Sequence, residues 1–481
     1  METCSSAHAQ THTVVSPLAV SYIAGVSQGI RVVVRSLPSL AVHAVFAAID
    51  RVEQIAFSPN GSLILAVVPS QGVVHVWSLD NQNWTCRIDS GSAGISKAEF
   101  HPSSSLHVLV WSDFNLRLDV WDVFSGKRAH LKHVKGSIAL GKDGDQYGAI
   151  LSRNNHKNSI NIIDLECGEL NFTLVQSFLV PGVGDLAGLV WTGSGNALVA
   201  YESPLTDRVH LLDLKGQILI SHSLNDASSS LGLGARTQAH SKSVIAFGGF
   251  DQSIRFFSIW KSLDFLCRIS LKSDEIFILD DSPVVLRETL GGGATLRERN
   301  MFHLGGANTQ QFPVEYRDAS RDETSNPKLQ LLKLPSVDQC TPFPGSSTRT
   351  LAPSRGGVLA LEMSPDGAFL AAQTDEKSSV VFLIEIAKLK VTNILIHRQP
   401  VRCFRWNPLS GANRSQLAVV TGDSRVLIWN PTMDNRTVEL KDSSLNAIDV
   451  QWASQGNVLV VSSKENVCSV LIDIPRENSG G

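Results

Sequence analysis

Charge is scarce in this 481-residue chain: Asp, Glu, Lys and Arg make up 18% of it, against the ~25% usual for a globular protein. The 42 basic and 45 acidic residues nearly cancel, leaving a net charge of −3. That balance excludes a global basic field for nucleic acid and an acidic tail. Long apolar runs are missing as well. Residues 11–30, the apolar part of a charge-free stretch near the N-terminus, are broken by Thr, Ser, Pro and Gln, so no membrane span is expected. The first thirty residues hold no basic n-region, so no secretory signal is expected. The seven cysteines (Cys4, Cys86, Cys167, Cys267, Cys340, Cys403, Cys468) are odd in number and form no C-x-x-C. That pattern suits a reducing compartment and buried thiols rather than a disulfide framework.

Signatures of chemistry are missing too. Gly232-Leu-Gly234 has no third glycine, and no Gly-rich turn ends in Gly-Lys-Ser/Thr, so phosphate cradles fail. His130 and His133 have no further Cys or His at zinc spacing. Asp143-Gly-Asp145 begins like a calcium loop, but Asn154 stands where the closing carboxylate belongs. No G-x-S-x-G elbow occurs. The expectation is a non-enzymatic protein with no metal and no cofactor. What is plentiful is apolar residue, 43% of the chain, ample for a large core.

One phrase recurs along the sequence: an apolar or aromatic residue, a small residue, often Pro, then a polar or Gly turn. It reads Val15-Ser-Pro, Phe57-Ser-Pro-Asn-Gly61, Phe100-His-Pro102, Leu140-Gly-Lys-Asp-Gly144 and Trp191-Thr-Gly-Ser-Gly195. It returns as Met363-Ser-Pro-Asp-Gly367, Trp406-Asn-Pro408 and Trp452-Ala-Ser-Gln-Gly456, with a degenerate copy around Gln238. Most intervals are about 40–50 residues, the period of a WD-type propeller blade. Each phrase is followed by short Val/Ile-rich runs such as Val73–Trp77, Leu116–Trp121 and Arg425–Trp429, the pattern of strands buried on both faces. The fold class is therefore all-β: a WD-repeat β-propeller of about nine degenerate four-stranded blades, with seven or eight as alternatives.

The Gly-His pair that opens many WD repeats is absent, so the Asp–His–Ser–Trp hydrogen-bond chain is not expected as a set. Blade stability is then expected to rest mostly on apolar packing. The ninth copy stops after its third strand, and residues 1–13 are the candidates for the closing strand. Blades 1–6 are placed in 14–272, blades 7–9 in 358–475 and a tail in 476–481. Between them 273–357, with its glycines, prolines and alternating charge, reads as a long, partly disordered inter-blade insert.

Gly72-Val-Val-His-Val-Trp77-Ser-Leu followed by Trp84-Thr-Cys86-Arg-Ile-Asp89-Ser-Gly91-Ser-Ala-Gly94 is more particular than a generic blade. It resembles the centrosomal and spindle-pole WD-repeat protein family. Phe114-x-Leu116-Arg117-x-x-Val120-Trp121, Pro400-Val-Arg402-x-Phe404-x-Trp406-x-Pro408 and Thr421-Gly-x-Ser-Arg425-x-x-x-Trp429 are similar to later repeats of that family, and Asn326-Pro-Lys328 to the entry of the blade after the insert. The resemblance implies a scaffold in the cytoplasm and cytoskeleton, at the centrosome or spindle pole body. It implies microtubule minus-end anchoring with a coiled-coil partner and a minus-end-directed kinesin, with no nucleic acid and no membrane insertion.

Trp84, Arg87, Asp89 and Arg117 are the candidate partner-binding residues, because aromatic and Arg side chains anchor interfaces. The competing expectation is that Trp84 packs between blades and that Arg117 forms an inter-blade ion pair. A propeller subunit of a translation-initiation assembly and a ubiquitin-ligase substrate receptor remain the alternative functions.

Overall fold

A computed structural model gives the architecture. It describes residues 3–472 except 5–7, 10, 17–21, 38, 102–103, 133, 141–146, 155–156, 165–173, 204–205, 225–234, 273–274, 279–283, 291–313, 319–329, 334–356, 410–414, 432–434, 441–444 and 465. His133, Asp143, Asp145, Asn326-Pro-Lys328 and the tail from 476 lie outside the described residues.

Nine antiparallel blades follow one another: 11–47, 54–89, 97–132, 134–180, 186–223, 235–270, 358–396, 403–439 and 449–471. The first strands of successive blades lie side by side. Thr11–Val15 neighbours Gln54–Phe57, which neighbours Lys97–His101, and Asp449–Trp452 returns to Thr11–Val15. The chain is thus a closed ring with the first strand of each blade innermost.

Burial explains the composition of each strand. The middle strands, such as Leu63–Val68, Val73–Ser78 and Leu417–Val420, are buried along their whole length. Each is covered on both faces by neighbouring blades, so Val and Ile appear without alternation. Outer strands alternate, as in Arg128–Lys132, where Arg128, His130 and Lys132 are exposed and Ala129 and Leu131 are half-buried. The core is accordingly a series of clusters between blades, for example Leu65, Val76 and Ile88 of blade 2 against Ala98 and Val108 of blade 3.

The recurring phrase is the turn between first and second strands. Its aromatic enters the inter-blade core: Phe57 is 7% exposed and Trp406 5%. The small residue after it is buried and caps its own turn. Ser58 Oγ accepts from Leu63 N at 2.9 Å, Thr192 Oγ1 from Ala197 N at 3.2 Å and Ser364 Oγ from Phe369 N at 2.9 Å. The closing glycine takes positive φ, +68° at Gly61 and +71° at Gly367, a region that side chains disfavour.

Packing between blades is supplemented by polar links that the sequence reading did not foresee. The phrase tryptophans donate their indole N–H to the inner strand of the preceding blade: Trp191 to Ala139 O at 3.0 Å, Trp406 to Glu362 O at 2.9 Å and Trp452 to Arg405 O at 3.0 Å. Gln54 stands in for a missing strand neighbour, donating to Ala98 O at 2.9 Å and accepting from Ala98 N at 3.3 Å. These bonds satisfy backbone groups on the free inner edge.

Three expectations meet corrections or additions. The 273–357 segment is not loop throughout: Val284–Leu290 runs parallel to Lys390–Ile396 and carries Val314–Asp318 beside it, so blade 7 belongs to a six-stranded sheet. Glu275–Ile278 and Gln330–Lys333 pair with each other. An exposed strand edge recruits whatever chain is near, which composition alone does not register. The Asp–His–Ser–Trp chain is not seen as a set among the described residues, but some of its residue types stand together at blade 8. His397, without its glycine, is 3% exposed and lines a small cleft with Thr421 and Asp423, and Thr421 Oγ1 donates to Asp423 Oδ1 at 3.2 Å. At the ring's closure, Thr3–Cys4 and His8–Ala9 pair antiparallel with Asn466–Leu471, so blade 9 gains its outer strand from the N-terminus.

Candidate interaction site

Three of the four residues singled out from sequence, Trp84, Arg87 and Asp89, sit on or next to the outer strand of blade 2, Thr85–Asp89. Period-2 alternation divides them. Arg87 pairs in register with His75, whose ring stacks on Trp77, which stacks in turn on Phe46 of blade 1. Arg87 therefore faces blade 1. Burial, and then the Arg87 charge, hold the His75 imidazole below its usual pKa. Arg87 and Asp89 are 55% and 59% exposed and lie 3.8 Å apart.

Trp84 faces the other way. Its half-buried ring stacks on Phe124 of blade 3 at a centroid distance of 4.8 Å and packs on the core between blades 2 and 3. Trp84 is thus partly inter-blade packing, and its stacking partner Phe124 is 61% exposed. Asp89 pairs with Val73 at one end of the strand, and Trp84 precedes the other end. The two are about 16 Å apart along the strand, near opposite faces of the disc.

Arg117 belongs to the third strand of blade 3. Its Nη2 donates to Ser90 O at 2.8 Å, linking blade 3 to blade 2, and its Nε lies 2.8 Å from Asp119. That pair is not aligned as a hydrogen bond, so both carboxylate oxygens of Asp119, which is 1% exposed, lack a donor. The expected inter-blade ion pair is therefore a within-blade ion pair plus an inter-blade hydrogen bond. Trp84 and Arg117 share the seam between blades 2 and 3; Arg87 and Asp89 do not.

The seam also holds Arg128 and Lys132, which sequence reasoning passed over, and His130, which it weighed only as a zinc ligand. Arg128, His130 and Lys132 are exposed on the outer strand of blade 3, in register with Trp121, Asp119 and Arg117. Arg128 lies over the Trp121 ring at 5.5 Å. The signal was present in the Arg-Ala-His-Leu-Lys alternation, which puts Arg, His and Lys on one strand face. At the other end of blade 3 the turn residue Phe114 is 92% exposed at φ +55°.

A second polar concentration lies on the inner strands of blades 7–9. Glu362 is held 3.6 Å from Arg405, and burial raises its carboxyl pKa to about 7. Cys403 Sγ donates to Asp449 Oδ1 at 3.1 Å, and burial pushes its thiol up to about 12, so it is a poor nucleophile. These groups stitch neighbouring blades. Among the described residues no cluster of three or more His, Cys, Asp or Glu is placed to hold a metal, and no helix is long and apolar enough to cross a membrane.

Nine antiparallel blades in a closed ring define a β-propeller. The chain's long-range relatives are WD repeat-containing proteins. It is 27% identical over 449 residues to the mouse WD repeat-containing protein WRAP73, covering 92% of this chain and 90% of that one. It is 24% identical over 459 residues to a WD repeat-containing protein of Schizosaccharomyces pombe, covering 90% and 83%. The ribosome biogenesis protein ERB1 of Ajellomyces capsulatus is 30% identical over 140 residues, which is 29% of this chain and 17% of that protein. Among solved structures, the C-terminal WD40 domain of Sif2 aligns with a TM-score of 0.47 over 97% of both chains at 12% identity. No protein-family model matches the chain.

Proposed function

We propose that this WD-repeat propeller is a non-enzymatic protein-interaction scaffold at the centrosome or spindle pole. There it anchors microtubule minus ends together with a coiled-coil partner and a minus-end-directed kinesin. The observation that carries the reading is colinearity: the alignment with mouse WRAP73 runs through 92% of the chain and 90% of the relative, so the whole propeller is in common. The family-like segment 72–94 supports it by placing the exposed Arg87 and the half-buried Trp84 at the rim of blade 2. A propeller offers many rigid loops and edges and no chemistry of its own, which suits a platform.

A second reading, a platform in ribosome assembly, is favoured by the local match to ERB1. One experiment separates the two. The protein is tagged at its C-terminus, imaged in dividing cells and purified with its partners for mass spectrometry. Foci at both poles with a coiled-coil protein recovered are expected. A diffuse or nucleolar signal with ribosomal proteins recovered would transfer the assignment to the second reading.

A further inference from the structure

We propose that the rim groove at the seam of blades 2 and 3 docks an acidic segment of a partner protein, one that carries an aromatic or branched aliphatic anchor. This rests on the scaffold reading above and adds the chemistry of the partner. One wall is the outer strand Arg128–Lys132, which ends its sheet, with no strand beyond it among the described residues. Arg128, His130 and Lys132 project from one face of that strand, about 7 Å apart, and the strand contains no acid. The opposite wall is Trp84 and the half-buried Cys86, with Ile88 buried beneath. Burial, and then the Asp122 charge, hold the Cys86 thiol neutral by raising its pKa, so this wall is apolar and uncharged. Phe124 closes one end, 61% exposed against Trp84.

The nearby acids offset the cationic wall only in part. Asp119 is buried against Arg117 and Asp89 pairs with Arg87 on the other face of blade 2; Asp122, which accepts from Phe124 N, Ser125 N and Ser125 Oγ within its own turn, keeps its charge at the Phe124 end and stands against the two fixed cations Arg128 and Lys132. Arg128 and Lys132 have no ion-pair partner among the described residues. Charges on an edge strand can serve only to prevent edge-to-edge aggregation. That role would call for them equally on blades 4 and 5, whose outer strands, Leu174–Val180 and Ile218–Ser223, are just as free and carry no Asp, Glu, Lys or Arg. The outer strands of blades 2, 6 and 8 also carry a cation, Arg87, Arg268 and Arg436, but each holds an acid as well, Asp89, Asp264 and Glu439; Arg128–Lys132 carries its cations without one, at a seam that also exposes aromatic surface. A desolvated aromatic centre rimmed by charge is how interfaces obtain affinity and selectivity together.

The test uses the full-length protein as bait for a random 12-residue phage-displayed peptide library. Enriched peptides are expected to be net acidic with an aromatic, Leu or Ile. Synthetic copies are expected to lose about 10-fold or more in affinity for Arg128→Glu/Lys132→Glu, and to bind more weakly as salt rises. Arg87→Glu, on the opposite face, is expected to bind as wild type does. Melting temperatures of both variants serve as folding controls. No enrichment, enrichment without acidic bias, or equal losses from the Arg87 variant would each overturn the proposal. The scaffold reading fails separately: it is lost if the wild type does not reach the poles, and it stands if the Arg128/Lys132 variant binds no acidic peptide yet still reaches them.

Discussion

Trp406→Phe isolates the link between adjacent inner strands, because the phenyl ring keeps the part of the side chain nearest the backbone and removes the indole N–H. That N–H reaches Glu362 O at 2.9 Å across the seam of blades 7 and 8. The ring is 5% exposed and lies 6.3 Å from Phe369 and 6.1 Å from Trp429 between centroids. Losing the donor leaves a carbonyl unpaired at a cost of about 1–3 kcal/mol. The atoms removed, with the space they leave, add about 1–2 kcal/mol. A total of about 2–5 kcal/mol is expected from urea unfolding followed by both circular dichroism and fluorescence, whose agreement licenses a single transition. Trp452→Phe, which breaks the bond to Arg405 O, is expected to cost a similar amount. Trp84→Phe is the control: its half-buried ring keeps the stack on Phe124, and a loss below about 1 kcal/mol is expected. If Trp406→Phe costs no more than Trp84→Phe, the indole bonds do not hold blades together and the reasoning is wrong.

Three further outcomes are expected. Gly94→Ala places a Cβ 2.0 Å from Asp113 Oδ2 at φ +64°, whereas at Gly91, φ +62°, a Cβ meets nothing within 4 Å. Thermal unfolding should therefore show a loss at Gly91 of about 1 kcal/mol from backbone strain alone and a clearly larger one at Gly94; equal losses would contradict the close approach. Glu362, its pKa raised by burial from 4.5 to about 7, binds more protons folded than unfolded. Its contribution is intact below about pH 4.5 and is lost as the pH rises through about 7, so Glu362→Gln should flatten the stability profile in that window, by about 1–3 kcal/mol; an unchanged slope would refute it. Cys403, pushed up to about 12, should stay unlabelled by iodoacetamide at pH 8 in the native protein and react once unfolded, as read by peptide mass spectrometry. Rapid native labelling would mean that the thiol is not held as described.

The ring was legible because its repeats obey local rules. Ser58, Thr192 and Ser364 must follow an apolar residue and precede a positive-φ glycine for the turn to close, so the phrase survives where the rest of the blade has drifted. The long-range pairings were not legible. Val284–Leu290 joins blade 7 in parallel across about a hundred residues of chain, and nothing in its own composition names that edge. The inter-blade bonds of Gln54 and Trp406 depend on which side of an inner strand faces the next blade, a matter of register. The candidate site divides on the same ground. Spacing within 84–94 pointed to one surface, but alternation along a single strand sends Trp84 toward blade 3 and Arg87 toward blade 1. The cationic strand 128–132 was visible in sequence, yet it gains meaning only when Trp84 and Phe124 are found beside it.

Closure of the ring is what makes this chain a rigid platform, and hydrogen exchange tests it most directly. Amide exchange along Asn466–Leu471 is compared in the full chain and in a chain beginning at residue 10. In the full chain those amides pair with Val458–Ser462 on one side and with Thr3–Cys4 and His8–Ala9 on the other. The predicted result is slow exchange throughout the strand, with the amides that point away from Val458–Ser462 becoming fast when residues 1–9 are removed. Identical exchange in the two chains would contradict a propeller closed by its N-terminus.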